Sequence, residues 1–137
     1  MKRSIIIGSV VIVLGLLIAL GPQFLFRVCA RGEDGYSHCH WSAQAEIGIG
    51  FLIAALGICM IVFTDPKTRL GLYIGVFLTG IIALFIPHTL IGGCDSMSMA
   101  CHRVAFPALT VESIILLVFL ATITVYGEMR RLYVTKV

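Results

Sequence analysis

A chain of 137 residues that is 59% hydrophobic and only 12% charged cannot cover a water-facing surface, since soluble domains carry about 25% charged residues. Its mean hydropathy of +1.05 means that lipid must solvate part of it. The formal charge of +3 does not point to nucleic acid, because the basic residues gather at the ends of apolar runs, where membrane topology accounts for them.

Four apolar runs follow one another, each close to the roughly 20 residues that cross a bilayer. The first spans about 5–26, is broken only by Ser9 and Gln23, and has Pro22 near its far end. Ala19-Leu20-Gly21 followed by Pro22 is a poor cleavage signal, so this run reads as a retained span rather than a leader. A polar loop, 27–42, leads to span two at about 43–63, whose one charge is Glu46. Asp65-Pro66 breaks the chain before span three at about 70–91, which carries Pro87 and His88. A second polar loop, 92–103, precedes span four at about 104–126. That span has Pro107 in its first turn, where a missing N–H costs little, and Glu112 inside. A polar, basic tail closes the chain from Gly127. The expected architecture is an all-α membrane protein, a single domain over 1–137 built as a four-helix bundle.

Lys2, Arg3, Lys67, Arg69, Arg130, Arg131 and Lys136 would share one side of the membrane, and Arg27, Arg31 and Arg103 the other. The positive-inside rule then places both termini in the cytoplasm and both polar loops outside, in a multi-pass protein of the cell membrane. Trp41 falls at an interface, where its amphipathic ring is favoured.

An internal repeat runs through this pattern. Gly15, Pro22 and Cys29 are spaced by sevens, as are Gly80, Pro87 and Cys94, at an offset of 65. Leu16-Leu17 then matches Ile81-Ile82, and the Cys-His pairs Cys39-His40 and Cys101-His102 recur at an offset of 62. Two duplicated helical hairpins of the same orientation are the implied construction.

Four of the five cysteines fall in the two loops, and outside the cytoplasm disulfides form and persist. Pairing within each loop, Cys29–Cys39 and Cys94–Cys101, respects the repeat; pairing across the loops would tie the hairpins together. Cys59 reads as a small core residue. A metal site competes with the staples. His38 and His40 flank Cys39 at a spacing that puts both on one side of an extended segment, and Met97 and Met99 repeat that spacing. With oxidised cysteines, His38, His40, His102, Met97 and Met99 remain, a set suited to copper; Cys and His together would suit zinc. No bound cofactor is otherwise expected, and c-type haem would need CxxCH, which is absent.

Glu46, Glu112 and His88 are the acidic and histidine residues inside the spans. An ionisable group at that depth is expensive and is a functional signal, while His88 beside Pro87 has the bland role of satisfying a carbonyl freed by the proline. Gly71-x-x-x-Gly75 and Gly50-x-x-x-Ala54 would let backbones approach, within the bundle, in self-association or against another membrane protein.

Two resemblances enter here. Four spans with a cysteine pair in each of two outward loops resembles the membrane oxidoreductases that pass electrons from periplasmic thiols to quinone. Those carry CxxC, whereas nine residues separate Cys29 from Cys39 and six separate Cys94 from Cys101. The segment Pro22-Gln-Phe-Leu-Phe26 leading to Cys29, the run from Cys39-His40-Trp41 through Ala45-Glu46, and Met99-Ala-Cys101-His102 resemble a family of small four-span prokaryotic membrane proteins catalogued as a domain of unknown function. That resemblance covers nearly the whole chain. Its members tend to accompany export-type ABC transporters, so it implies a non-enzymatic accessory role beside a permease. A metal-handling protein and a thiol–disulfide oxidoreductase are the alternatives.

Overall fold

The computed structural model describes residues 2–21, 24, 38–90, 104 and 106–136, a few of them by backbone alone. These form four helices: α1 (Lys2–Leu20), α2 (His38–Val62), α3 (Pro66–Phe85) and α4 (Phe106–Lys136). Each contains an apolar stretch of 19 to 22 residues, enough at 1.5 Å per residue to cross the hydrocarbon. No strand occurs among the described residues. The chain is a multi-pass membrane protein with the all-α, four-helix architecture expected of it.

The helices run up and down in a ring, α1 against α2, α2 against α3, α3 against α4 and α4 back to α1. Val11 and Ile18 from α1, Ile53 and Met60 from α2, Val76 from α3, and Leu109, Leu116 and Leu120 from α4 meet in the centre. Large apolar side chains such as Ile6, Phe51, Ile58, Ile74 and Val118 point outward. In a soluble protein these would be a liability; here they form the lipid-facing belt.

The helix ends differ from the apolar runs. α2 begins at His38, not near residue 43, and α3 begins at Pro66, not near residue 70. Asp65 caps α3: its carboxylate accepts from the Thr68 N–H at 3.3 Å and from the Thr68 hydroxyl at 3.2 Å, with Pro66 in the first helical position. Only Phe63, Thr64 and Asp65 lie between α2 and α3. α4 continues through Gly127 to Lys136, so the polar, basic tail is helical. Helical hydrogen bonding does not stop where hydropathy does, and no proline or capping signal ends α4 earlier.

The closest contact is between α1 and α2. Gly8 opposes Gly57, and Gly15 opposes Gly50. A Cβ placed on Gly15 would lie 2.7 Å from the Ala54 nitrogen and 2.8 Å from the Gly50 carbonyl oxygen. One placed on Gly50 would meet the Ala19 nitrogen and lie 2.6 Å from the Gly15 oxygen. These are backbone atoms, which cannot swing aside. Glycine at both ends of each pair brings the two backbones into contact, and dispersion between closely packed helices holds membrane bundles together.

The duplication has a structural counterpart. Gly15 meets Ala54; at the repeat offsets Gly80 meets Leu116, whose Cδ2 lies 3.4 Å from a Cβ built there. Gly21 and Phe24 at the end of α1 are π-helical, and so are Ile86–Leu90 at the end of α3. Pro87 lies in the second π turn, and Pro22 falls between the two π residues of the first, outside the described residues. A π turn accommodates the N–H that proline lacks. The hairpins have diverged in spacing, however. Tyr73, Glu112 and Phe119 stand at the repeat positions of Gly8, Gly50 and Gly57, so the α3–α4 pair is held apart by side chains where α1 and α2 touch.

Gly50→Ala should destabilise the protein by about 1–3 kcal/mol, the cost of overpacking a site with no flexible neighbour. Nothing lies within 4 Å of a Cβ on Gly71, so Gly71→Ala should gain up to about 1 kcal/mol of helix propensity. Thermal unfolding of the purified variants in one detergent checks this, and shifts of the same sign would contradict the packing.

Candidate functional site: a polar layer inside the bundle

The buried positions of α2 include Glu46, Gly50, Ile53, Ala54, Gly57 and Met60, which recur every three or four residues along one stripe. Glu46 heads that stripe, so the packing of its apolar neighbours turns it inward. The register that pairs Gly15 with Gly50 brings it level with Ala19, which is fully buried and small. In α4, Phe106, Leu109, Ser113, Leu116 and Leu120 form the matching stripe, and Glu112 stands half-buried at its edge.

Glu46 is 1% exposed, and neither carboxylate oxygen has a hydrogen-bond partner. Glu112 Oε2 and Ser113 Oγ are likewise buried and unpartnered. Of the five such atoms among the described residues, four belong to this layer. Glu112 is near enough for its charge to act on Glu46. The hydroxyl of Ser113 contrasts with those of Thr79, Thr110, Thr122 and Thr124, each of which donates to a carbonyl four residues back in its own helix at 2.6–2.8 Å.

His88, in the π turn that follows α3, is exposed and reaches across to α4. Its Nε2 lies 2.9 Å from the Thr110 hydroxyl, whose own hydrogen goes to the Phe106 carbonyl at 2.7 Å. A hydroxyl has one hydrogen to give, so His88 Nε2 donates. The partner is therefore a hydroxyl on the neighbouring helix, not the freed carbonyl expected from Pro87, and the bond ties α3 to the first turns of α4.

Two carboxylates within electrostatic range of each other inside a membrane bundle, with a buried hydroxyl on the residue after Glu112, have the chemistry to hold a proton or a small cation. A buried, unpaired carboxylate is costly, and apolar packing alone does not call for one. Sequence reasoning singled out Glu46, Glu112 and His88 but missed Ser113 and Thr110. Ser113 was findable, four residues after Leu109 and three before Leu116 on a heptad stripe.

The loop residues are a different matter. Cys29, Cys94, Met97, Met99, Cys101 and His102 lie outside the described residues. His38, Cys39 and His40 are described by backbone alone, and that backbone is the first turn of α2. The extended geometry assumed for His38 and His40 is therefore replaced by helix. Cys59 is a half-buried free thiol in α2. Among the described residues no three His, Cys, Asp or Glu side chains gather as metal ligands.

The helix ends that bracket both loops lie together, since α1 and α3 finish where α2 and α4 begin. With this arrangement in view, the comparison with known families is direct: the model of the family described as a domain of unknown function, DUF4418, matches residues 11–127. The chain belongs to the DUF4418 family. The match takes in the second half of α1, all of α2 and α3, and the whole membrane-crossing part of α4. No curated protein and no solved structure matches the chain. The polar layer of this DUF4418 protein thus lies within the family region.

Glu46→Gln keeps the shape and removes the charge, and should leave stability within about 1 kcal/mol. Glu46→Lys places an unpaired cation in the same spot and should cost about 3–5 kcal/mol. Thermal unfolding in detergent separates them; equal tolerance of both would mean that Glu46 reaches water.

Proposed function

We propose that this DUF4418 protein is a non-enzymatic accessory subunit of the cell membrane that docks through α3 against a transmembrane helix of a larger complex. The observation that carries this reading is the uncovered small-residue face of α3. Only 17% of its membrane-crossing residues are buried, against 39% in α1. Nothing lies within 4 Å of a Cβ on Gly71, and only Leu56, at 4.0 Å, approaches one on Gly75. Glycine in a helix interior costs about 1 kcal/mol relative to alanine. At Gly8, Gly15, Gly50 and Gly57 that cost is offset by backbone contact. At Gly71 and Gly75 no such contact offsets it, and a Gly-x-x-x-Gly face is the shape that admits a partner helix. Gly50-x-x-x-Ala54, by contrast, is used up inside the bundle.

The family resemblance supplies the partner class, the permease of an export-type ABC transporter. The seven-to-three split of basic residues supports cytoplasmic termini and outward loops. There, Cys29–Cys39 and Cys94–Cys101 act as staples that make the outer surface rigid.

Gentle purification from the native membrane followed by mass spectrometry should recover permease subunits with the wild type. Gly75→Leu should lose them, while the variant still purifies as a folded monomer. Recovery of a second copy of this chain alone would replace docking with self-association. One equivalent of bound copper or zinc, or dithiol oxidation coupled to quinone, would replace it with the metal or redox alternative.

Peptide mapping without reductant should find both loop disulfides, each stabilising by about 2–4 kcal/mol. Four free thiols in protein purified without reductant would reject the staples.

A further inference from the structure

A cavity of about 210 Å³ opens at the end of the bundle opposite the polar layer. α1 contributes Arg3 and Ile7, α3 contributes Arg69 and Tyr73, and α4 closes it with Ile123. We propose that this cavity binds a phosphate oxyanion, supplied by the headgroup of an anionic phospholipid.

Arg3 and Arg69 both line this space, and two positive side chains sharing one cavity favour an anion between them. Arg69 is already oriented. Its Nη2 donates to the Tyr73 hydroxyl at 3.0 Å, and its guanidinium carbon lies 5.9 Å from the Tyr73 ring centroid. Its Nε is buried and has no acceptor. It is the one buried, unpartnered side-chain donor among the described residues whose charge calls for an anion. Arg3 stands exposed at the same cavity.

No carboxylate lines the described cavity wall. Asp65, between the cavity residues Thr64 and Pro66, is occupied as the cap of α3, accepting from Thr68 through both backbone and side chain. Thr64 adds a hydroxyl that can donate to a phosphate. Thr124 cannot, since its hydrogen goes to the Leu120 carbonyl. Arginine is suited to phosphate because its fork of N–H groups matches two oxygens at once.

The location selects the lipid. Arg3 lies at the start of α1, Arg69 in the first turns of α3, and Gly127 at the end of the apolar part of α4. The cavity is thus at headgroup depth. Ile7 and Leu70 give it an apolar side on which the glycerol end of a lipid can rest. Basic pockets between transmembrane helices at this level are where anionic headgroups are held.

Native mass spectrometry of the full chain in detergent, after exchange into phosphatidylglycerol or phosphatidylcholine micelles, reads the site directly. The wild type should keep one phosphatidylglycerol and release phosphatidylcholine. Arg3→Gln with Arg69→Gln should lower retention about tenfold or more. Lys67→Gln removes one positive charge from an exposed position outside the cavity and should have little effect. Equal loss with Lys67→Gln would mean diffuse attraction, and undiminished retention in the double variant would mean another site; either overturns the proposal. Phosphorus NMR with inorganic phosphate distinguishes the source. Phosphate binding by the wild type, lost in the double variant and without lipid retention, would keep the oxyanion site and overturn the lipid.

Discussion

The contact on which the rest of the structure depends is the meeting of the α1 and α2 backbones at Gly8, Gly15, Gly50 and Gly57. Inside a bilayer, helices gain nothing from hiding apolar surface, because lipid is as apolar as leucine. What remains is close packing, and packing is closest where no side chain intervenes. The glycines fix both the distance between the helices and their register. That register in turn decides which side chains face the centre, and it delivers Glu46 there along with Ile53 and Met60. The second hairpin keeps the outline of the first but replaces glycine with Tyr73, Glu112 and Phe119.

Polar groups at membrane depth must be satisfied within the protein. Most are handled locally. The threonines return their hydrogens to their own helices, and His88 with Thr110 bridges the π turn of α3 to α4. The two glutamates and Ser113 stand apart from this economy, and so does Arg69 at the other end. The molecule therefore has two chemically opposite unsatisfied places. An acidic layer lies among the helices near the loop end, and a basic cavity lies at headgroup depth near the termini.

Much of this was legible in the sequence. Hydropathy gives four spans because burial in lipid is a property of composition over some twenty residues, which no tertiary detail overrides. The repeat matched Gly15 and Pro22 to Gly80 and Pro87, but the π geometry near both prolines was not foreseen, because proline in an apolar run signals a break without saying which turn replaces it. Helix ends were harder. His38 and the tail beyond Gly127 are polar yet helical, because hydrogen bonding within a helix does not depend on apolarity. The glycine pairs were only half visible. Gly50-x-x-x-Ala54 stood out as a motif, but a seven-residue spacing within α1 and within α2 becomes a contact only once the antiparallel register is known. Arg69 read as a topology marker; that one of its nitrogens is buried without an acceptor is a fact of three dimensions.

The unequal spacing of the two hairpins also bears on how the protein is made. A helix pair that closes on its own backbone needs no help from helices that follow it. α1 and α2 can therefore pair as soon as both have entered the bilayer, while α3 is still being synthesised. The later pair, joined through bulky side chains, then settles on a surface already formed. The duplicated halves are in this sense a template and its client, and the order of synthesis matches the order of tightness.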